Sequence, residues 1–361
     1  MHFGTFNLLQ CPEWQTEQQA FKNALEQIEY AEQLGFDSVW LVEHHFSRYS
    51  INADALLLAA NVAARTKRVR IGLAVAVLPF HNPVRLAEQA AMVDILSNGR
   101  LDMGMGRGYQ QQEFDRFGIP IAESRDRFIE CLDIMLKAWS PGQFSYQGKY
   151  WKVPPTEVFP KPVQKPHPPL YVATSGTKDT VEWIAQKGYR MMRGGAFTEP
   201  ESVKQRHDQY VDLRRAAGHK EADVQRDILG SPLSRKIYVS ETSEEAQHLP
   251  AKHVMWFQQA LLREALPADP KALDLPQYAY HRANMAKRAQ ETWDTVFQQD
   301  IYGTVDECVR KIKVFQGTGV ETMALWFDYG GMDQQKVLKS MERFAKHVMP
   351  VFKKEAVPAG R

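Results

Sequence analysis

Three short runs of this 361-residue chain place reactive side chains directly after apolar or glycine-rich ones. In "VWLVEHHFSRYS", apolar residues give way to Glu43, His44, His45 and Phe46. An imidazole exchanges a proton near neutral pH, so a histidine here can act as a general acid or base. In "GMGRGYQQQEF", glycines lead to Arg107 and Tyr109. In "ATSGTKDT", Ser175, Gly176 and Thr177 stand ahead of a helical run. Hydroxyls and free backbone N–H groups at a helix N-terminus suit an anion, and Arg107 and Arg125 can add the forked contacts that guanidinium makes to phosphate. Each run also has a plainer account. A histidine pair after a strand can be a surface or capping feature, a short Gly-x-Gly run a tight turn, and "TSGT" an N-cap cluster. A metal is a further alternative for Glu43, His44, His45 and His81. However, the chain has no HExxH, no cluster of three histidines at ligand spacing, and only His2 where barrel metallohydrolases carry His-x-His, so no metal is expected.

The elements that must position these residues follow from periodicity. "HFGTFNLL", "SVWLV", "VRIGLAVAVL" and "RLDMGMG" read as strands, the third nearly continuous in apolar residues, as a parallel strand covered on both faces requires. Helices fall between them, one opening at Thr16 with Gln19, one at Asn82-Pro83 and one at Ser124. "FSYQGKYWKV" reads as a hairpin, and the proline-rich run that follows it as a surface connection. "LYVAT", "YRMM", "SRKIYVS" and "ETMALWF" resume the alternation, with helices expected over Thr177–Lys187, Pro200–Ala217 and Ser243–Arg263 and another opening at Thr304 with Glu307. Residues of about 264–299 carry no clear period and read as a long insertion. The expected architecture is an α/β chain forming a (β/α)8 TIM barrel, one domain over 1–361 with the insertion before the last α/β unit. A doubly wound sheet is the alternative, though "NLLQCPEW" lacks the glycine-rich turn it would want after strand one. In a barrel, all three reactive runs fall on the face that carries active sites.

Bulk properties narrow the partners. Lys plus Arg (45) nearly balance Asp plus Glu (43), which argues against nucleic acid or an acidic membrane surface. Cys11, Cys131 and Cys308 are scattered and odd in number, suggesting neither a disulfide framework nor a thiolate metal site. No apolar run approaches the roughly 18 residues of a membrane helix, and the first residues show no secretory pattern. A cytoplasmic location is expected.

The motifs together resemble the bacterial luciferase-like flavin monooxygenases, in particular the luciferase α-subunit branch. The resemblance is carried by "FGTF", "GFDSVWLVEHHF", "RIGLAVAVLPFHNPVRLAEQAAMVDILSNGRLDMGMGRG", "FGIP…ESR", "YVATSGTKDTVEWIAQKG" and "GTVDECVRKIKVFQGTGVETM". It is dense from Met1 to Arg125 and thin from Glu264 to Gln299. It implies a barrel that takes reduced FMN (FMNH2) and O2, forms a C4a-hydroperoxide and oxygenates a small hydrophobic substrate. A separate NAD(P)H:flavin reductase is implied too, since no second nucleotide-binding module is visible.

Carried over by position, His44 matches the catalytic histidine and Glu43 lies beside it near the flavin. Ala74 and Val75 match a non-proline cis peptide under the isoalloxazine ring. Arg107, Arg125 and Ser175, with Gly176 and Thr177, match the phosphate site, and Tyr109 falls where backbone meets the flavin ring. Phe46, Phe114 and Phe117 are expected to bind the substrate and, together with the insertion as a lid, to keep its site dry. Gly106 departs from the pattern, standing where the luciferase α-subunit has a reactive cysteine. A homodimer is expected, with the Asn82–Leu96 helix at its interface by analogy. A deazaflavin-dependent hydride-transfer enzyme and a non-catalytic flavin-binding protein are the alternative functions. Because strand residues alternate in direction, His44 and His45 should have different roles.

Overall fold

The computed structural model describes residues 1–174, 178–194, 199–265 and 289–353, with positions 271, 274, 282 and 286. Strands β1 (His2–Asn7), β2 (Ser38–Leu41), β3 (Arg70–Leu73), β4 (Ala76–Val77) and β5 (Leu101–Gly106) occupy the first third. The hairpin β6 (Phe144–Gln147) and β7 (Lys152–Thr156) follows, then β8 (Leu170–Thr174), β9 (Arg190–Arg193), β10 (Pro232–Val239), β11 (Ile301–Gly303) and β12 (Thr322–Trp326). Eight of these, β1, β2, β3, β5, β8, β9, β10 and β12, pair in parallel in that order. The pairings of β12 with β1 and of β9 with β10, at Leu233 and Arg193, close the ring. That closure excludes the doubly wound sheet, which would leave two open edges. β4 continues β3 beyond a break at Ala74–Val75 and pairs with the end of β5.

Helices α1 (Glu17–Leu34), α2 (Ala55–Arg65), α3 (Pro83–Leu96), α4 (Gln111–Phe117), α5 (Ser124–Trp139), α6 (Lys178–Lys187), α7 (Pro200–Ala216) and α8 (Glu221–Gly230) follow the strands. They are succeeded by α9 (Ser243–His248), α10 (Ala251–Ala265), α11 (Trp293–Gln299) and α12 (Val305–Gln316). The start signals act as expected, except that the Gln19 side chain donates to Asn23 at 2.6 Å and does not complete the capping box with Thr16. The Thr16 hydroxyl accepts from Gln19 N–H at 3.2 Å, Asn82 caps α3 ahead of Pro83, and Thr304 and Glu307 cap α12 reciprocally. None of the described helices is long and apolar enough to cross a membrane.

One helix expectation needs correction. The helix expected over Ser243–Arg263 is two, α9 and α10, separated at Leu249–Pro250, where proline offers no N–H to continue the ladder. Three elements stand where none is expected from the sequence: α8 precedes β10, β11 pairs outside the ring along β10, and the short α4 follows β5. The insertion expected at about 264–299 falls largely outside the described residues, but its last part is α11, capped by Thr292.

The outward faces of the strands carry Val39, Leu41, Ile71, Leu73, Leu101 and Met103 into a core shared with the helices. Full burial of side chains of this size stabilises by about 1.5–3 kcal/mol each. Inside the ring, Trp40 meets Tyr171 edge-on at 5.1 Å, and Met192 and Ala324 complete the plug. Gly72 makes this possible, since a Cβ there would collide with the Trp40 indole. At the N-terminal end of the ring, Arg70 grips Asp102 at 2.8 and 2.7 Å, and Asp227 joins Arg190 to Arg214. That end is closed by ion pairs. At the other end Phe6, Ala74, Val75, Ala173, Ser234, Lys236 and Trp326 are only half-buried, so the ring opens there.

Candidate active site

The segment after β2 keeps the alternation of a strand. Val42 joins the apolar group at the mouth with Leu8, Tyr49 and Phe257. His44, two residues on, meets Tyr49 edge-on at 4.8 Å and Tyr109 at 5.9 Å. Glu43 and His45 turn to the other side. The loop is held in this course by Asn52, whose carbonyl accepts from His44 N–H at 3.0 Å and whose side-chain amide donates to Val42 O at 2.6 Å. Phe46 then adopts φ 59°, uncommon for a bulky residue, and its carbonyl accepts from Arg116 at 3.0 Å.

Two buried glutamates divide the histidines. Glu113, on α4, is 1 % exposed; its Oε1 lies 2.9 Å from His44 Nδ1 and accepts from His45 N–H at 2.9 Å. Glu43, equally buried, meets His45 Nε2 at 3.1 Å and His81 Nε2 at 2.9 Å, and accepts from Val77 N–H at 3.3 Å. Burial alone would raise the Glu43 carboxyl, but hydrogen bonds from His45 and His81 outweigh it and hold the group below its ordinary value. Burial likewise opposes charge on His81, yet the bond to Glu43 and its negative charge hold that imidazole above its ordinary value. Glu43 thus ties together the ends of β2 and β4 and the approach to α3.

Phe46, Phe114 and Phe117 gather on the His45 side. Phe80 contacts Phe114 and Phe117 at 4.8 Å each, Phe46 contacts Phe117 at 5.1 Å, and His45 meets Phe117 at 4.8 Å. Phe114 is fully buried, while Phe46 and Phe117 are exposed in part. The rings nearest His44 are instead Tyr49 and Tyr109, whose hydroxyls lie 3.3 Å apart. Tyr49 stacks on Phe257 at 5.5 Å, Phe257 meets Trp326 at 5.4 Å, and Trp326 stacks on Phe6 at 4.5 Å. This aromatic wall runs from His44 into the ring and was missed in the sequence, because its members come from four separate elements.

Arg107, just past β5, and Arg125, in the first turn of α5, line one cleft with Thr174, Thr180 and Trp183 over a floor of Phe128, Ile129 and Val172. Neither arginine has a carboxylate partner among the described residues. Desolvation, and after it the like charge of Arg125, holds Arg107 below its ordinary value. Two unneutralised guanidinium groups side by side fit an anion. Thr180 and Trp183 belong to α6 and carried no sequence signal beyond their nearness to "TSGT". Ser175, Gly176 and Thr177 lie outside the described residues.

The Ala74–Val75 peptide bond is cis. A Cβ on Gly106 would lie 2.5 Å from Val75 Cγ2, so the glycine at this position is what lets Val75 approach β5. With the arginine cleft, these residues form a cradle that fits a flavin mononucleotide. Among the described residues no group of three or more His, Cys, Asp or Glu is placed to hold a metal.

Residues 1–322 match the luciferase-like monooxygenase family. The chain is 27 % identical to the oxygenase component of the flavin-dependent trigonelline monooxygenase of Acinetobacter baylyi, over 99 % of this chain and 97 % of that protein. It is 26 % identical to the alkanal monooxygenase alpha chain of the Kryptophanaron alfredi symbiont, over 99 % of both. The crystal structure of monooxygenase RslO1 from Streptomyces bottropensis superposes with a TM-score of 0.84 at 28 % identity, covering 98 % of this chain and all of that one. The chain belongs to the luciferase-like monooxygenase family. It is a flavin-dependent monooxygenase of the two-component kind, using FMNH2 and O2 with a separate reductase.

Proposed function

We propose that this luciferase-like monooxygenase inserts one oxygen atom into a small hydrophobic substrate, with His44 as the residue that moves the proton. Bound FMN, reduced by an NAD(P)H:flavin reductase, supplies the electrons that activate O2. Arg107 and Arg125 would hold its phosphate, with Ser175, Gly176 and Thr177 adding polar contacts. Ala74, Val75 and Tyr109 would flank its ring. The observation that carries this reading is the pairing of Arg107 with Arg125 in a cleft whose described lining residues include no carboxylate. Such a cleft favours an anionic cofactor group over a metal.

The substrate site is proposed at the mouth, against Phe6, Trp326, Phe257 and Tyr49. Apolar walls there exclude water and suit a substrate with little charge. Phe46, Phe114 and Phe117 would shield the His45 side, with the segment of about 264–299 as a lid. Glu43 would act near the flavin by holding the backbone after the cis peptide through Val77. Exposed Leu57 on α2 and Met92, Ile95 and Leu96 on α3 favour a homodimer through these helices. A cytoplasmic location accords with three buried cysteines that form no disulfide.

The test is aerobic turnover of a substrate panel with enzymatically supplied FMNH2 under isotopically labelled O2. The expected result is a product heavier by one labelled oxygen. Substrate oxidation without label and without need of O2, matched by reduction of an oxidised deazaflavin, would replace this reading with hydride transfer.

A further inference from the structure

We propose that Glu113 is a positioning residue that fixes the tautomer of His44, placing the proton on Nδ1 and leaving Nε2 as a bare acceptor. The inference rests on the reading of His44 as the proton-moving group and adds the means by which one of its nitrogens is made ready.

Donors and acceptors decide where the proton sits. Oε1 of Glu113 accepts from the His45 backbone N–H at 2.9 Å, and a backbone N–H can only donate. The same oxygen lies 2.9 Å from His44 Nδ1. An ionised carboxylate has nothing to donate, so the shared proton must belong to Nδ1. In a neutral imidazole only one nitrogen carries a proton, and Nε2 therefore keeps its lone pair. Gln110 Nε2 lies 3.4 Å from the same Nδ1, too long to compete with the carboxylate. When His44 takes a proton at Nε2, no bond of this arrangement has to break. The imidazolium formed has an anionic partner already in contact.

The neighbouring sequence shows why the acid matters. Positions 110–112 are all glutamine, and only 113 is glutamate. A glutamine of equal size would offer both groups one neutral oxygen, and its amide, turned to donate to Nδ1, would select the opposite tautomer and give up the bond from His45 N–H. Among these four, only Glu113 cannot present a donor while ionised. It is also nearly inaccessible, so solvent cannot substitute for it.

The test begins with protein labelled with ¹⁵N in histidine, its His44 signals assigned by their loss in His44→Ala. The wild type is expected to show a protonated Nδ1 and a bare Nε2 in the neutral ring, without any flavin bound. Glu113→Gln replaces the anionic oxygen shared by His45 N–H and Nδ1 with a neutral amide, which holds the Nδ1 proton more weakly with its oxygen there and donates to Nδ1 when turned. It is expected to shift His44 toward the other tautomer and to lower kcat about 10²-fold, the lower end of positioned acid–base catalysis, with flavin affinity and thermal midpoint nearly unchanged. Glu113→Asp, which retains an acceptor-only group, should recover part of the loss. A bare Nδ1 in the wild type overturns the proposal. So does a Glu113→Gln protein with unaltered tautomer and turnover beside an impaired His44→Ala. If His44→Ala is itself fully active, the role of His44 fails instead, while the ¹⁵N spectra still decide what Glu113 does.

Discussion

His44 and His45 are adjacent, and each contacts a buried glutamate, yet the two surroundings differ in what they leave unused. Glu43 is shared by His45, His81 and the Val77 N–H, so its lone pairs are spent on holding three segments together. Among the described residues Glu113 engages only the near nitrogen of His44 and a backbone N–H, and His44 stands at the open end of the ring beside Tyr49 and Tyr109. One residue of offset along an extended chain changes which side of the wall an imidazole serves. The same chemical groups form a fastening on one side and a candidate proton carrier on the other.

The comparison is broken most directly by exchanging the two histidines' fates. His44→Ala should reduce product formation by about 10²–10⁴-fold, the usual contribution of a positioned acid or base, while oxygen consumption continues as hydrogen peroxide release. His45→Ala should stay within a few-fold of wild type in coupled turnover and lose thermal stability instead. Coupled product and peroxide measured in parallel decide it. An uncoupled His45→Ala beside an active His44→Ala would reverse the assignment.

A second experiment sharpens it by separating proton chemistry from cofactor holding. Arg107→Ala should weaken FMN binding by about 1.5–3 kcal/mol, the range for a hydrogen bond to a charged group, and Arg107→Ala with Arg125→Ala by more. Neither histidine variant should move FMN affinity, because neither ring lines the arginine cleft. Fluorescence titration of FMN against the four proteins provides the check.

How far the sequence anticipated this arrangement depends on the range of the interaction concerned. The ring strands were legible because each is a short apolar run bounded by turn residues, and the caps at Thr16, Asn82 and Thr304 because a cap is local. The parity of His44 and His45 was legible for the same reason. Glu113 was not: its partner is 69 positions away, and nothing in "QQQEF" distinguishes a buried acid from a solvated one. The break between α9 and α10 turned on Pro250 alone, set within a run whose apolar period continues across it. The aromatic wall joins Phe6, Tyr49, Phe257 and Trp326, a set only the closed ring assembles.

The fastening side predicts a stability effect. Removing the His81 imidazole leaves the buried Glu43 carboxylate with one fewer donor, which should cost about 1–3 kcal/mol. Chemical denaturation of His81→Ala against wild type measures it. A change no larger than that of an exposed ion pair, under about 1 kcal/mol, would show that Val77 and His45 suffice for Glu43.

The smallest effect is the dependence of that difference on pH, and its sign follows from the two shifts. Glu43 is held below its ordinary value of 4.5, so its contribution is present above that value and is lost as the pH falls through its folded value. His81 is held above its ordinary value of 6.5, chiefly by Glu43 with a smaller part from Asp54, once burial has been overcome. Its contribution is complete below 6.5 and is lost as the pH rises through its folded value. Their joint contribution is therefore greatest between 4.5 and 6.5 and declines on either side. The difference in unfolding free energy between wild type and His81→Ala should be larger at about pH 5.5 than at about pH 8.5. Subtracting the variant removes the titration of every group the two proteins share. A difference that grew toward alkaline pH would mean that His81 is held as a neutral ring, and Glu43 would then be fastened by hydrogen bonds without an ion pair.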